Sequence, residues 1–267
     1  MPYSINRTFW EEVTKLHLIP NEYYDIAGFK KGGCSLRPLE LAEVGNVDDR
    51  LFLHLQCHIG LDSLSWSRLG AHVTGIDFSS ESIAFARSLA RETGISARFI
   101  CSDIYNAPKL ITEQYDIIFT SYGSIRWLHD LDAWAKNAYD ALHEDGFLYI
   151  VDTHPKLLKM TAIDTQDYLI RCKFNSSGGV PPEIGYSNDY AHKDIAIKFP
   201  RCIWHHDMEH IVNSIILAGF EIEFIHEHYY CEDYYLTTMK KNDQGWYCMI
   251  KDKEMLPLMF SIKACRK

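Results

Sequence analysis

The run LFLHLQCHIG at residues 51–60, followed one strand-and-helix unit later by VTGID at 73–77, constrains this chain more than any other feature. A buried strand that enters a turn, a helix and a second strand closed by a carboxylate is the start of a nucleotide-binding unit. The turn offers backbone N–H groups and a helix N-terminus to an anionic group, while the carboxylate of Asp77 can accept the two hydroxyls of a ribose.

The pattern continues. Leu51–Leu55 predicts a short strand, and Leu61–Leu69 a helix closed by Gly70. His72–Asp77 predicts the second strand. Ser79 or Ser80 caps the next helix, with Glu81 in its first turn, running to about Glu92 and ending at Gly94. Ala97–Cys101 is a third strand. Asp116–Thr120 is a fourth, apolar as a strand covered on both faces would be. Asp130 caps a helix through Leu142, HEDG at 143–146 is a turn, and Phe147–Asp152 is a fifth strand. Strand and helix alternate throughout, which predicts an α/β fold with a doubly wound, mostly parallel sheet.

Residues 153–207 break this rhythm around the turn-rich connector NSSGGVPPEIG at 175–185, and read as an insertion over the sheet's carboxyl edge. Met208–Ala218 predicts a helix closed by Gly219. Phe220–His228 and Leu256–Cys265 are late strands with no crossover helix between them, so they pair antiparallel. The stretch 234–247 is a hairpin or loop. Residues 1–49 form an N-terminal helical and lid segment, with Phe9, Trp10, Val13, Leu16 and His17 on one helical face. The Gly-rich, aromatic stretch 23–34 within it reads as a loop or mobile cover. The domain proper spans 50–267.

Ligands of open α/β sheets bind outside the carboxyl ends of the strands. The candidates there are Gln56, Cys57, His58 and Gly60 after the first strand and Asp77 and Phe78 after the second. Asp103 and Ile104 follow the third, and Ser121 and Tyr122 the fourth. One aspartate can accept the ribose hydroxyls. The other can accept an adenine amine, with Ile104 and Phe78 sandwiching the ring.

At these residues the chain resembles the class I S-adenosylmethionine-dependent methyltransferases, a seven-stranded Rossmann-like family with an antiparallel closing strand. The second-strand acid matches Asp77, the third-strand Ser/Asp pair matches Ser102 and Asp103, and the post-fourth-strand motif matches Ser121 and Tyr122. LHEDGFLYI at 142–150 is similar to the family's turn into the fifth strand. The resemblance covers residues 48–154 well and 205–265 loosely. The family's first motif carries an acid and a Gly-x-Gly-x-Gly loop, whereas here His54, Gln56 and His58 stand in place of the acid and the first two glycines. Glycine there allows positive φ or close backbone approach. Gln and His imply a different loop path, or side chains that replace backbone contacts. A small-molecule subset with an L-H-L-Q-C-H-x-G-x-D signature is similar.

The resemblance implies S-adenosyl-L-methionine as cofactor and methyl transfer to a small-molecule acceptor by in-line displacement. Tyr122 and Trp127 either face the sulfonium or pack the pocket edge. His58 either bonds the cofactor's carboxylate or a lid residue, or fills space; His54 reads as a core histidine. His129 or His154 is the candidate general base, needed if the acceptor must lose a proton.

Formal net charge is −9, which argues against a nucleic-acid backbone as partner. No stretch has the apolar length of a membrane helix, and the N-terminus does not read as a signal peptide. Eight scattered cysteines without a C-x-x-C pair read as reduced cytoplasmic thiols. Cys57 and Cys101 fall at strand ends, where small apolar filler is the favoured reading. HDMEH at 206–210 misplaces the glutamate of a zinc H-E-x-x-H, so no metal is expected. Two alternatives stand: a non-catalytic cofactor-binding protein on the same fold, and a nicotinamide-dependent oxidoreductase, for which the Gly-x-Gly-x-x-Gly loop is missing.

Overall fold

Seven strands build the central sheet: β1 (Leu51–Leu55), β2 (His72–Asp77), β3 (Arg98–Cys101), β4 (Tyr115–Ser121), β5 (Leu142–Thr153), β6 (Glu221–His228) and β7 (Met259–Cys265). The computed structural model describes residues 2–158, 160–162, 168–170, 182–250 and 256–267. The strand order is β6–β7–β5–β4–β1–β2–β3. Strands β1 to β5 pair in parallel, and β7 runs antiparallel to both β5 and β6. The order reverses between β1 and β4, and that switch point is where open α/β sheets bind ligands.

Alternation along the strands separates two buried faces. Leu53, Ile118, Ile150 and Ile262 face α6 (its range Leu131–Ala141) and the helix Met208–Ala218, meeting Trp134, Ala138, Ile211 and Ile215. Phe52, Ile117, Phe119 and Tyr149 point the other way, onto Trp66 of the helix Leu61–Arg68. Beside them Phe99 packs with Ile83, Ala86 and Leu89 of the helix Ser80–Thr93. In chain order the helices are α1 (Pro2–His17), α2 (Ile26–Lys30), α3 (Pro38–Val44), α4 (Leu61–Arg68), α5 (Ser80–Thr93), α6 and α7 (Met208–Ala218), with one further helical turn at Pro155–Leu158.

The predicted caps form. Ser79 Oγ accepts from Ser82 N at 3.1 Å, Asp130 from Ala133 N at 2.9 Å, and Gly94 and Gly219 close α5 and α7 in the left-handed region. Each polar N-cap is worth about 1 kcal/mol.

Two segments depart from expectation. The stretch 23–34, read as a loop, contains α2, because Asp25 accepts from Gly28 N at 2.8 Å and nucleates a turn. HEDG does turn, with Asp145 at φ 65°, but inside a longer β5: Tyr115 pairs with Leu142, and the ladder resumes at Ile117 and Phe147 after a bulge.

Three pieces cover the carboxyl edge. Helix α1 docks on α5, where Glu11 accepts from Ser80 N at 2.8 Å and Glu81 N at 2.9 Å. The described part of the expected insertion crosses α1, with Ile197 buried against Phe9 and Val13. Of the connector 175–185, residues 175–181 lie outside the described residues. The stretch 234–247 forms most of the hairpin Met239–Lys241 to Tyr247–Met249, whose Trp246 and Met249 pack on Leu157 and Leu258.

Candidate functional site

The end of β1 does without the expected glycines and still takes their conformation. Gln56 has φ 56°, His58 φ 47° and Gly60 φ 78°. A left-handed non-glycine residue costs roughly 1 kcal/mol or more, so these two positions need compensation. Gln56 Nε2 donates to Ser124 O at 3.0 Å, across to the loop after β4. His58 N donates to Asp77 Oδ2 at 2.9 Å. The substitution of glycines therefore keeps the turn, and side chains tie it down. Only Gly60 remains glycine because a Cβ there would stand 2.8 Å from Ala86 Cβ and 2.9 Å from the Phe99 ring.

The His58 ring turns to the lid. Its Nε2 lies 2.8 Å from His17 Nδ1, and its Nδ1 lies 3.1 Å from Ser82 Oγ. His17 Nε2 lies 2.8 Å from Asp189 Oδ1, which also receives His192 on its other oxygen. Burial holds both His17 and His58 below the usual imidazole range, so both are neutral. With His17 Nε2 donating to Asp189, His17 Nδ1 accepts from His58, and His58 Nδ1 accepts from Ser82 Oγ, whose other neighbour is Thr14 Oγ1 at 2.7 Å. His54 is buried, lies 2.8 Å from Ser63 Oγ, and is pushed down to about 3 by burial.

These residues wall a cavity of about 860 Å³ over the switch point. Gln56, Cys57, His58, Gly60, Asp77, Phe78, Ser121 and Tyr122 all line it. Asp77 is 7 % exposed, and burial raises its carboxyl to about 6. Its two oxygens accept from His58 N and from Ser79 N at 2.8 Å. A carboxylate has about four acceptor positions, so roughly half of them remain for a ligand. Burial and the Asp77 charge push the Cys57 thiol up, which keeps it protonated filler; Cys101 is exposed at the end of β3. Tyr122 donates to Glu40 at 2.7 Å, and burial raises that carboxyl to about 7.

Four expected site residues stand outside the cavity wall. Asp103 Oδ1 is turned back onto Tyr105 N at 2.9 Å, and Ile104 packs on the core. His129 is exposed beside Tyr105, with ring centroids 4.3 Å apart. His154 is buried at the end of β5, with Nε2 3.1 Å from Glu227 and Nδ1 accepting from Lys156 N at 3.1 Å. Both of its ring nitrogens are committed, and neither histidine reaches the cavity.

Asp62, the closing acid of the L-H-L-Q-C-H-x-G-x-D signature, also lines the cavity from the first turn of α4 and accepts from Ser35 Oγ at 2.6 Å. Three more residues reach it without having been singled out in the sequence. Arg126 lines the wall after β4 and Arg201 lines it from the insertion. Glu232 is 4 % exposed; Thr153 Oγ1 and Tyr235 OH donate to its Oε1 at 2.9 and 2.5 Å. Its Oε2 is buried with no partner among the described residues, and burial raises its carboxyl. Arg126 carries a sequence signal, a lone cation inside the apolar run IRWL; Glu232 and Arg201 carry none.

Residues 52–146 match the family model described as a methyltransferase domain. The match covers just over a third of the chain. Over 111 residues the chain is 31% identical to the ubiquinone biosynthesis O-methyltransferase of Proteus mirabilis (strain HI4320), covering 40% of this chain and 45% of that protein. The chain thus matches less than half the length of that curated relative. Among solved structures, an S-adenosylmethionine-dependent methyltransferase from Mesorhizobium loti superposes with a TM-score of 0.58 at 18% identity, covering 86% of this chain and 96% of its own. A second, from Clostridium acetobutylicum ATCC 824, gives 0.57 at 14% identity with 94% of both chains covered. These likenesses establish the fold: a seven-stranded, mostly parallel sheet of Rossmann-like topology with one antiparallel strand.

Proposed function

We propose that the protein transfers a methyl group from S-adenosylmethionine to a small-molecule acceptor. The observation that carries this reading is Asp77, buried in the cavity wall beside a turn that takes the left-handed path of a glycine loop. Its spare acceptor positions suit ribose hydroxyls. Gln56 Oε1, buried and unpartnered among the described residues, suits the ammonium of the amino-acid end. The N-terminus of α4 favours its carboxylate. Phe78 offers a half-exposed ring to the adenine. Asp103 and Ile104 belong to this set only through their place at the neighbouring strand end.

When bound, the cofactor supplies a methyl group on a positive sulfur. The chain's part is alignment, which supplies most of the acceleration in such displacements. Trp10, Trp127 and Tyr122, which line the cavity, are the aromatic rings assigned to the sulfonium end. A proton leaving the acceptor goes to Glu232 Oε2, the unpartnered base in the cavity; this role replaces the one expected of His129 or His154. Residues 1–49 and 153–207 act as lid and substrate cover on the domain spanning 50–267. The curated relatives named for ubiquinone biosynthesis support a small-molecule acceptor, and free thiols among the described cysteines suit a cytoplasmic setting.

The test is titration with S-adenosylhomocysteine. Asp77→Asn should weaken binding about 10- to 100-fold, the range of a hydrogen bond to a charged group. Burial lifts the Asp77 carboxyl from 3.8 to about 6, so the free native protein keeps its proton over that interval and loses stability as pH rises through it. Ribose hydroxyls donate to the ionised form. Affinity should therefore climb as pH rises toward about 6 and level off above it. Unchanged affinity in the Asn variant would remove the basis of the proposal.

A further inference from the structure

We infer that the methyl acceptor carries an oxyanion, a carboxylate or a phosphate, seated between the guanidinium groups of Arg126 and Arg201. This names the substrate chemistry of the site just described and rests on the methyl-transfer reading.

Both backbones are fixed. Arg126 lies in a single turn, Ile125–Trp127, whose entry is held by Asp152: its carboxylate accepts from Gly123 N at 2.6 Å and Ile125 N at 2.9 Å. Arg126 O accepts from Trp204 N at 2.8 Å, which ties this turn to the short strand Arg201–Ile203. That strand is fastened to α1 at the next residue, where Cys202 N donates to Asn6 Oδ1 at 2.8 Å and Asn6 Nδ2 donates back to Cys202 O at 2.7 Å. The two arginines are thus brought to one wall from segments 75 residues apart by rigid local structure.

Their side chains are not satisfied. The Nε of each is buried without a partner, and no carboxylate lies within 4.0 Å of either, among the described residues. Arginines with structural roles in this protein look different. Arg68 donates to Gly33 O and Phe29 O, Arg87 to Phe99 O, and Arg266 to Tyr139 O and Leu142 O. The acids whose fields reach the pair are occupied: Asp152 with backbone N–H groups, Glu183 with His205 at 2.9 Å. Burial, and for Arg201 the Arg126 charge, work against both cations. A guanidinium does not shed its proton to escape this. Two unneutralised cations in a cavity wall are costly unless an anion joins them, and a forked guanidinium fits the paired oxygens of a carboxylate or phosphate. The rings of Trp127 and Tyr235 also line the cavity, where they can pack on the body attached to that anion.

The experiment uses the full chain saturated with S-adenosylhomocysteine and three probes of one shape: benzoate, phenyl phosphate and neutral benzamide, titrated by calorimetry at constant ionic strength. At least one anion should bind about tenfold or more tighter than benzamide, as charge-assisted bonds require. Which of the two wins separates carboxylate from phosphate. Arg126→Gln and Arg201→Gln should each erase that preference while leaving the affinity for S-adenosylhomocysteine within about twofold, since neither group lies among those assigned to the nucleoside. Equal binding of benzamide, a preference that survives both substitutions, or no binding of any probe to the loaded protein overturns the inference alone. Failure of S-adenosylhomocysteine to bind the unaltered protein overturns the methyl-transfer reading beneath it.

Discussion

Individual residues in this site are chosen for charge state as much as for shape. Asp77, Glu40 and Glu232 are carboxyls raised by burial. Glu232 alone among them leaves an oxygen buried and unpaired. A base of this kind is useful because its raised pKa lies closer to neutral pH than an exposed glutamate's. For any acceptor that must lose a proton, Glu232→Gln should lower kcat by roughly 100-fold or more, the usual scale of general-base catalysis. Wild-type kcat should rise with pH through the raised Glu232 value, and that limb should vanish in the Gln variant. Stability separates this from a structural role. A carboxyl whose folded pKa exceeds its unfolded one loses stability as pH rises between the two. The Gln variant should therefore be no less stable than wild type at neutral pH, as thermal unfolding would show. An unchanged kcat and pH profile would assign the proton to another group. The same scale explains Gln56 and His58. Their identities announced a departure from a glycine loop, yet the backbone keeps positive φ because Ser124 and Asp77 hold it there.

At the level of elements, α1 is joined to the turn after β1 and to the insertion by one relay through His17. Its sequence stripe predicted a buried face, and Phe9 and Val13 supply it. The stripe gave no sign that His17 would sit between His58 and Asp189, residues 41 and 172 positions away. Removing that ring leaves two buried polar partners unsatisfied, at a cost of about 1–3 kcal/mol. His17→Ala should accelerate amide hydrogen exchange in α1 and around residues 187–197 by about 10- to 100-fold, with β1 and β4 unaffected. Uniform acceleration across the sheet would mean that α1 is part of the global fold and no separate lid. Among the strands, β1 and β2 were readable to the residue, because short apolar runs end at a turn and at a carboxylate. The start of β5 was not, since HEDG satisfies both a turn and a bulge and only the pairing of Tyr115 with Leu142 decides.

For the molecule as a whole, the switch point, the covered carboxyl edge and the large cavity favour a nucleoside ligand, and the turn discriminates among nucleosides. A dinucleotide's pyrophosphate needs the close backbone approach that glycines allow, and Gln56 and His58 stand where two of those glycines would be. S-adenosylhomocysteine at 100 times its dissociation constant should stabilise the chain by about 2.7 kcal/mol, whereas NAD should leave the melting temperature unmoved. A shift with NAD alone would favour the oxidoreductase reading over methyl transfer. No helix among the described residues is long and apolar enough to cross a membrane. The sequence by itself determined the alternation of strand and helix, the parallel sheet with its late antiparallel pair, and the acid at the end of β2, because hydrophobic period, caps and strand-end carboxylates are local properties. Only the tertiary structure decided which titratable groups share the cavity. It turned His129 and His154 away and brought in Glu232, Arg126 and Arg201, because those meetings are made by packing between segments far apart in the chain, and no local pattern encodes them.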